Sequence, residues 1–519
     1  VNPRTRVALR LLAPALLAAG ASLAATPAPR TPIRHLVVLF QENVSFDHYF
    51  ASYPFAANGP GEPRFVPRPD TPGVNGISGD LLHKNPNSVA PFRLPRTRAA
   101  TCSQDHEYTG EQLAYHGGLL DAFVPQEREL GHYGLTICHA EDVMGYFDGN
   151  TVTALWQYAQ HYALGDAHFG TTFGPSTPGA LNLVAGQTHP AVGQCGGEPG
   201  CRANGDAMVI RGHIQIIGST IIDDPDPAFD DCSAAGATAA LGGRNIGALL
   251  DAASLSWGFF QGGFRPSGRE GERAVCGRSH MGSHGSELPD YVPHHQPFQY
   301  FSETANPHHL PPTSVAAIGQ QADAANHQYD LEDFWAAAES RHLPAVSYLK
   351  APAFQNGHAG YSDPLAEQRY LVETINRLQR LPEWRDMAIV IAYDDSDGWY
   401  DHMMPPIVRG SIGDADALDA PKICGTARIP RQAGRCGLGP RLPLLLISPW
   451  ARENFVDHAV TEQASILRFI EDNWGLGRIG DGSADEDAGS IEGLFDFTRK
   501  QPLAPLPLDP LTGLPLARR

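Results

Sequence analysis

"HLVVLFQENVSFDHYF", residues 35–50, holds the reading that decides the fold. Residues 35–40 are mostly apolar and rich in Val and Leu, the composition of a short strand buried on both faces. The run stops at once, and Gln41, Glu42 and Asn43 follow together. A second stretch repeats the arrangement far along the chain. "DMAIVIAYDD", 386–395, is an apolar strand that ends in Asp394 and Asp395. "LPAVSYLKA" (343–351) and "RLPLLLISPW" (441–450) read as further buried strands. Helical stretches lie among them at 151–164, 364–380 and 461–476, with Thr461 as an N-cap and Gly475 at a helix end. Strands alternating with helices predict an α/β fold with a mostly parallel central sheet and helices on both faces.

Ligands of open α/β sheets bind outside the carboxyl ends of the strands. If the strands ending at Glu42–Asn43 and Asp394–Asp395 are neighbours, three carboxylates and one amide oxygen converge. That is a hard donor set, suited to one divalent ion such as Mg, Ca or Mn. The competing reading makes each pair a turn or a helix cap.

"TTFGPSTPGALNLVAGQT", 171–188, places Ser176 in a proline-stiffened loop before a short apolar run. The serine is either a plain N-cap or a nucleophile at the end of a helix whose N–H groups face an anion. Of 22 histidines, four stand in informative settings: His106 in "CSQDHEYT", His294 and His295 in "YVPHHQPFQY", and His358 in "QNGHAGYSDP". Such groups bind phosphate and protonate leaving oxygens. His48, His308, His309 and His402 are read as structural. "HMGSH", 280–284, has the spacing of a helical metal pair, but its glycine and serines argue for a loop. "GLGRIG", 475–480, follows a helix where a dinucleotide site needs a strand, so the match carries no meaning.

The totals bound the class. The chain has 519 residues, 18% charged and 42% hydrophobic, which is globular material. A net charge of −19 without any basic run excludes a nucleic-acid footprint and favours small-molecule esters over an anionic lipid surface. Arg4, Arg6 and Arg10 precede the apolar run 11–24, which reads as a secretory signal peptide over 1–24. Its removal takes three positive charges from −19 and leaves −22. No other run approaches the length of a membrane span, so the mature chain is expected in the periplasm or outside the cell without a transmembrane anchor. Eight cysteines without a C-x-x-C fit disulfides in that compartment. Close spacing favours Cys195–Cys201 and Cys424–Cys436 and leaves the others open. Residues 25–500 are expected to form one catalytic domain, with loop-rich, disulfide-containing insertions around 188–330. A Pro/Leu-rich tail covers 501–519.

"LVVLFQENVSFDHYF", "FGPSTPG", "PHHQPFQYF" and "AYDDSDGWYDH", in that order, resemble the bacterial phosphoesterase family of acid phosphatases and non-haemolytic phospholipases C. That family belongs to the alkaline-phosphatase-like superfamily. The resemblance spans about residues 33 to 475. It implies an alkaline-phosphatase-like fold and a single divalent metal held by Glu42, Asn43, Asp394 and Asp395. It implies Ser176 as nucleophile, with His106, His295 and His358 around the phosphate and His294 close by. Phospholipase members carry threonine in Thr-x-Pro-Asn-Arg, whereas this chain has Ser176-Thr177-Pro178-Gly179-Ala180. The likeness is therefore stronger to the acid phosphatase branch. The expected activity is hydrolysis of phosphomonoesters through a phosphoserine. The alternative is a phospholipase C acting on diesters such as phosphatidylcholine, binding phospholipid head groups, with aromatic "WGFFQGGF" (257–264) lining an apolar rim or packing the core. A secreted phosphate-binding protein without turnover is the third reading.

Overall fold

The computed structural model describes residues 27–130, 138–426 and 432–517. The expected signal peptide lies outside the described residues. Nine strands form the central sheet: β1 (His35–Gln41), β2 (Ala163–Phe169), β3 (Trp257–Gln261), β4 (Gln328–Asp330), β5 (Val346–Lys350), β6 (Met387–Tyr393), β7 (Arg441–Ile447), β8 (Phe455–Asp457) and β9 (Thr461–Glu462). Their order across the sheet is β4-β3-β5-β1-β6-β7-β2-β8, with β9 also paired to β2.

The sheet is mixed. β1 runs parallel to both β5 and β6, in register Leu36 to Val346 on one side and Gln41 to Tyr393 on the other. β7 is antiparallel to β6 and to β2. Apolar composition marks a buried strand but not its direction, which is why 441–450 read no differently from its neighbours. β1, β6 and β7 are buried along almost their whole length, as strands covered on both faces must be.

Five strands of the sheet, β2, β3, β4, β8 and β9, escaped the sequence reading. β2, "ALGDAHF", follows helix Thr153–His161 so closely that its first two residues read as the end of that helix. Its polar residues are buried but paired: Asp166 accepts from Asn75 N, and His168 Nδ1 lies 3.0 Å from Thr461 Oγ1. Thr461 therefore sits in β9, and the helix Gln463–Trp474 is capped by Glu462 in a capping box with Ser465. β3, "WGFFQ", is a fully buried central strand, so this stretch packs the core and lines no rim. With β4 it places two sheet strands inside the stretch 188–330 that reads as insertions.

Five smaller sheets of two to four strands surround the large one among the described residues. Four disulfides tie the loops: Cys102–Cys138, Cys195–Cys201, Cys232–Cys276 and Cys424–Cys436. Cross-links of this kind add stability mainly by restricting the unfolded chain. The final segment is pinned by backbone bonds, with Leu508 fully buried and bonded in both directions to the side chain of Asn376. No described helix is long and apolar enough to cross a membrane.

Candidate active site

Three adjacent strands, β5, β1 and β6, end on the same edge. Lys350 closes β5. Glu42 and Asn43 leave β1, and Asp394 and Asp395 leave β6, one step past the paired Gln41 and Tyr393. The turns are fixed by the backbone. Asn43 N and Asp395 N both donate to Asp394 Oδ1, at 3.0 and 2.9 Å, and Asp397 N donates to Asp395 Oδ1 at 2.7 Å. Asn43 holds the left-handed conformation at φ 51°, which asparagine tolerates better than most residues.

Ser176 reaches this edge from the first turn of helix Ser176–Ala185, every residue of which is buried. It is not the cap: Pro175 occupies that position without a side-chain bond. The Ser176 hydroxyl instead donates to Asp395 Oδ2 at 3.1 Å and lies 3.5 Å from Asn43 Oδ1. The helix comes this close because residue 179 is glycine. A Cβ there would fall 2.1 Å from the carbonyl oxygen of Asp394. The second residue of the helix is tied as well, since Thr177 N donates to Asp224 Oδ1 at 2.8 Å.

The histidines gather around the same edge. His295 Nε2 is 3.2 Å from Glu42 Oε2 and is fully buried. His294 packs edge-on against it at 4.5 Å between ring centres, with Nδ1 3.5 Å from Asp226 Oδ1. His106 and His358 face each other at 6.0 Å. Each turns Nδ1 to a backbone carbonyl, of Gln104 and of Ala359, which fixes the ring and leaves Nε2 without a described protein partner. His106 Nδ1 is also 3.4 Å from Asp397 Oδ1. All nine residues expected from the sequence thus lie in one connected group of contacts.

Electrostatics divide them. Burial opposes charge on His106, but Asp395 and Asp397 outweigh it and raise its pKa well above the ordinary value. Burial and the neighbouring His294 push His295 well down, and burial with His106 takes His358 down to about 3. Burial and Asp394 raise Glu42 and Asp395. Asp394 is held low in spite of burial, by Lys350 and its own hydrogen bonds.

Lys350 was missed in the sequence. Its ammonium is wholly buried, pairs with Glu42 Oε1, and donates to Asp394 Oδ2 at 3.2 Å. The signal was present: Lys350 ends a strand already read as buried, at the same edge rule that picked out Glu42 and Asp394. Asp397 and Glu111 were missed as well. Glu111 accepts from Gly174 N at 3.0 Å and from Ser396 Oγ at 2.5 Å, bracing the two loops that carry Ser176 and Asp395.

The donor chemistry fits a divalent cation. Glu42 is met only by the Lys350 ammonium and His295, and the buried Asp397 Oδ2 has no regular hydrogen bond among the described residues. Buried polar atoms without partners are costly and mark a missing partner. Ligand atoms of His106, His358 and Asp397 also come within 4.8 Å of one another. Two other clusters are closed to metals. Cys232 and Cys276, beside His309, are joined to each other, and Asp47, Asp401 and His402 surround Arg441. "HMGSH" is partly a hairpin strand and forms no metal pair among the described residues: His280 bonds Asp290, and His284 bonds Thr101 O.

Residues 33–477 match the sequence model of the phosphoesterase family. The chain is 25% identical over 459 residues to a non-hemolytic phospholipase C of Pseudomonas aeruginosa, covering 86% of this chain and 54% of that protein. It is 24% identical over 463 residues to phospholipase C A of Mycobacterium tuberculosis, covering 87% and 74%. A shorter stretch of 138 residues is 36% identical to non-specific phospholipase C1 of Arabidopsis thaliana, covering 25% of this chain and 24% of that protein. The chain spans about half the length of the Pseudomonas relative. The names of these relatives favour the phospholipase C alternative over the acid phosphatase that the serine loop suggested. The chain belongs to the phosphoesterase family.

Proposed function

We propose that this member of the phosphoesterase family hydrolyses phosphoester bonds in the manner of its phospholipase C relatives, with Ser176 as nucleophile. The observation that carries the reading is the Ser176 hydroxyl. It points away from its helix and at Asp395 and Asn43, on the sheet edge where three carboxylates gather.

Ser176 Oγ attacks phosphorus: an Oγ–P bond forms, and the bond from phosphorus to the leaving alcohol breaks. The hydroxyl proton already points at Asp395 Oδ2. His106, held cationic, sits with Nε2 free to donate a proton to the leaving oxygen. The charge of a bound phosphoryl group favours the protonated forms of His358 and His295, whose N–H groups then donate to its oxygens. Water then cleaves the serine ester and restores Ser176. Glu42, Asn43, Asp394 and Asp395 are the residues that would hold one divalent ion, with Lys350 offsetting part of their charge. When bound, that ion supplies Lewis-acid charge that makes the serine hydroxyl more acidic. The four disulfides fit a secreted enzyme.

A second reading, a phosphomonoesterase, is favoured by one feature of the serine loop. Where phospholipase members have Asn-Arg, this chain has Gly179-Ala180, and a side chain at 179 would strike the Asp394 backbone. Rates on p-nitrophenyl phosphorylcholine and p-nitrophenyl phosphate separate the two. A preference for the choline diester supports the phospholipase reading, and a preference for the monoester supports the phosphatase. Absence of turnover on both, with and without added divalent metal, would contradict hydrolysis.

A further inference from the structure

A cavity of about 560 Å³ lies apart from the Ser176 site. Its walls include Val408, Arg409, Arg435, Leu438, Val460 and Glu462. The volume is in the range of small-molecule sites, roughly 300–1,000 Å³. None of the residues assigned to the metal, the nucleophile or the phosphate lines it.

Its two arginines are in opposite states. Arg409 is spent on Glu462, with paired bonds of 2.9 and 3.0 Å, the fork geometry of a guanidinium on a carboxylate. Arg435 is 4% exposed, and its guanidinium makes one described hydrogen bond, to the carbonyl of Gly482 at 3.2 Å. No carboxylate lies within ion-pair distance of it among the described residues. Burial, then the like charge of Arg409, push its pKa down to about 10. Glu462, already paired with Arg409, offsets this only in part; a buried guanidinium without a carboxylate of its own is costly, and the planar fork is built to take an oxyanion in two bonds. Glu486 and Asp487 also line the cavity, but both are exposed, where water and salt screen them. The rest of the wall is greasy: Val408 and Val460 leave 41% and 48% of their surface open, beside Leu438.

We propose that this cavity binds a small organic oxyanion, its head on the Arg435 guanidinium and its apolar body against Val408, Leu438 and Val460. A bare inorganic ion would leave most of the space and all of the apolar wall unused.

Benzoate and its neutral isostere benzamide, titrated into the full chain by calorimetry, test the assignment without a phosphorus group that the Ser176 site would take. Wild type is expected to bind benzoate at least about tenfold more tightly than benzamide. Arg435→Gln should lose at least about tenfold in benzoate affinity, with Arg435→Lys between the two. His106→Ala should bind benzoate as wild type does. Should Arg435→Gln not fold, Val460→Glu places a repelling charge on the half-exposed wall and should weaken benzoate similarly. Equal binding of benzoate and benzamide, no saturable benzoate binding, benzoate binding lost in His106→Ala, or wild-type affinity in the Arg435 and Val460 variants would each overturn the assignment.

Discussion

Two buried charge clusters grow from the same two segments of chain. Residues 42–47 and 394–402 supply carboxylates to both, and each has one buried cation: Lys350 in one, Arg441 in the other. The Arg441 cluster is closed. Nε donates to both oxygens of Asp401, one terminal nitrogen donates to Asp47 at 2.9 Å, and the other to the carbonyls of Asn75 and Asp166. His402 completes Asp47 at 2.6 Å, and the guanidinium lies over the Phe46 ring. The Lys350 cluster is open. Glu42 and Asp394 share the one Lys350 ammonium, and Asp395 has a serine hydroxyl for a partner. Satisfied charges hold α/β segments in place, and unsatisfied ones await a ligand. The closed cluster fixes the two segments whose ends form the open one.

The largest expected effect separates chemistry from structure. Ser176→Ala should lower kcat by about 10⁴-fold or more while leaving the melting temperature nearly unchanged. Steady-state rates beside a thermal melt check both halves. Breaking the closed cluster should do the reverse. Arg441→Met leaves Asp401 without a cation and Asp47 with His402 alone, and should cost about 3–5 kcal/mol in urea unfolding. Lys350→Met sharpens the contrast. It should destabilise the metal-free chain by up to about 3 kcal/mol, and a divalent ion at about 100 times its Kd should restore some 2.7 kcal/mol. Melts with EDTA and with added Mg, Ca or Mn read that difference, and a Lys350→Met variant indifferent to metal would remove the cation from this site.

The smallest effect is one of pH. Glu367 lies just beneath the open cluster and accepts from Tyr49 at 2.9 Å and from Tyr393 at 2.6 Å. Burial raises its pKa from 4.5 to about 7. The folded chain therefore binds a proton that the unfolded chain has lost. Its contribution is full below about pH 4.5 and is lost as pH rises to 7, by at most about 3 kcal/mol. Glu367→Gln should flatten that part of the stability–pH curve, read from urea midpoints across the window.

The open cluster was legible and the closed one was not. Glu42–Asn43 and Asp394–Asp395 interrupt apolar runs, so their position at strand ends showed in the pattern alone. Ser176 stood out through its prolines and glycines, although its orientation came only from the structure. Arg441 begins a strand and Asp47 lies in a short helix, places where a charge reads as solvated. Nothing in the sequence says that they meet. Lys350 was hidden differently, since a lysine at a strand end is ordinarily on the surface. β2 was hidden because buried Asp166 and His168 break the apolar run, and only their partners explain them.

The most direct test is to quench the enzyme in acid during turnover of p-nitrophenyl phosphate or its phosphorylcholine diester and map the modified peptide by mass spectrometry. The expected result is a phosphoryl or phosphorylcholine group on Ser176, present in wild type and absent in Ser176→Ala. A label on another residue, or an unlabelled enzyme alongside an active Ser176→Ala, would contradict the Ser176 nucleophile and the open cluster built around it.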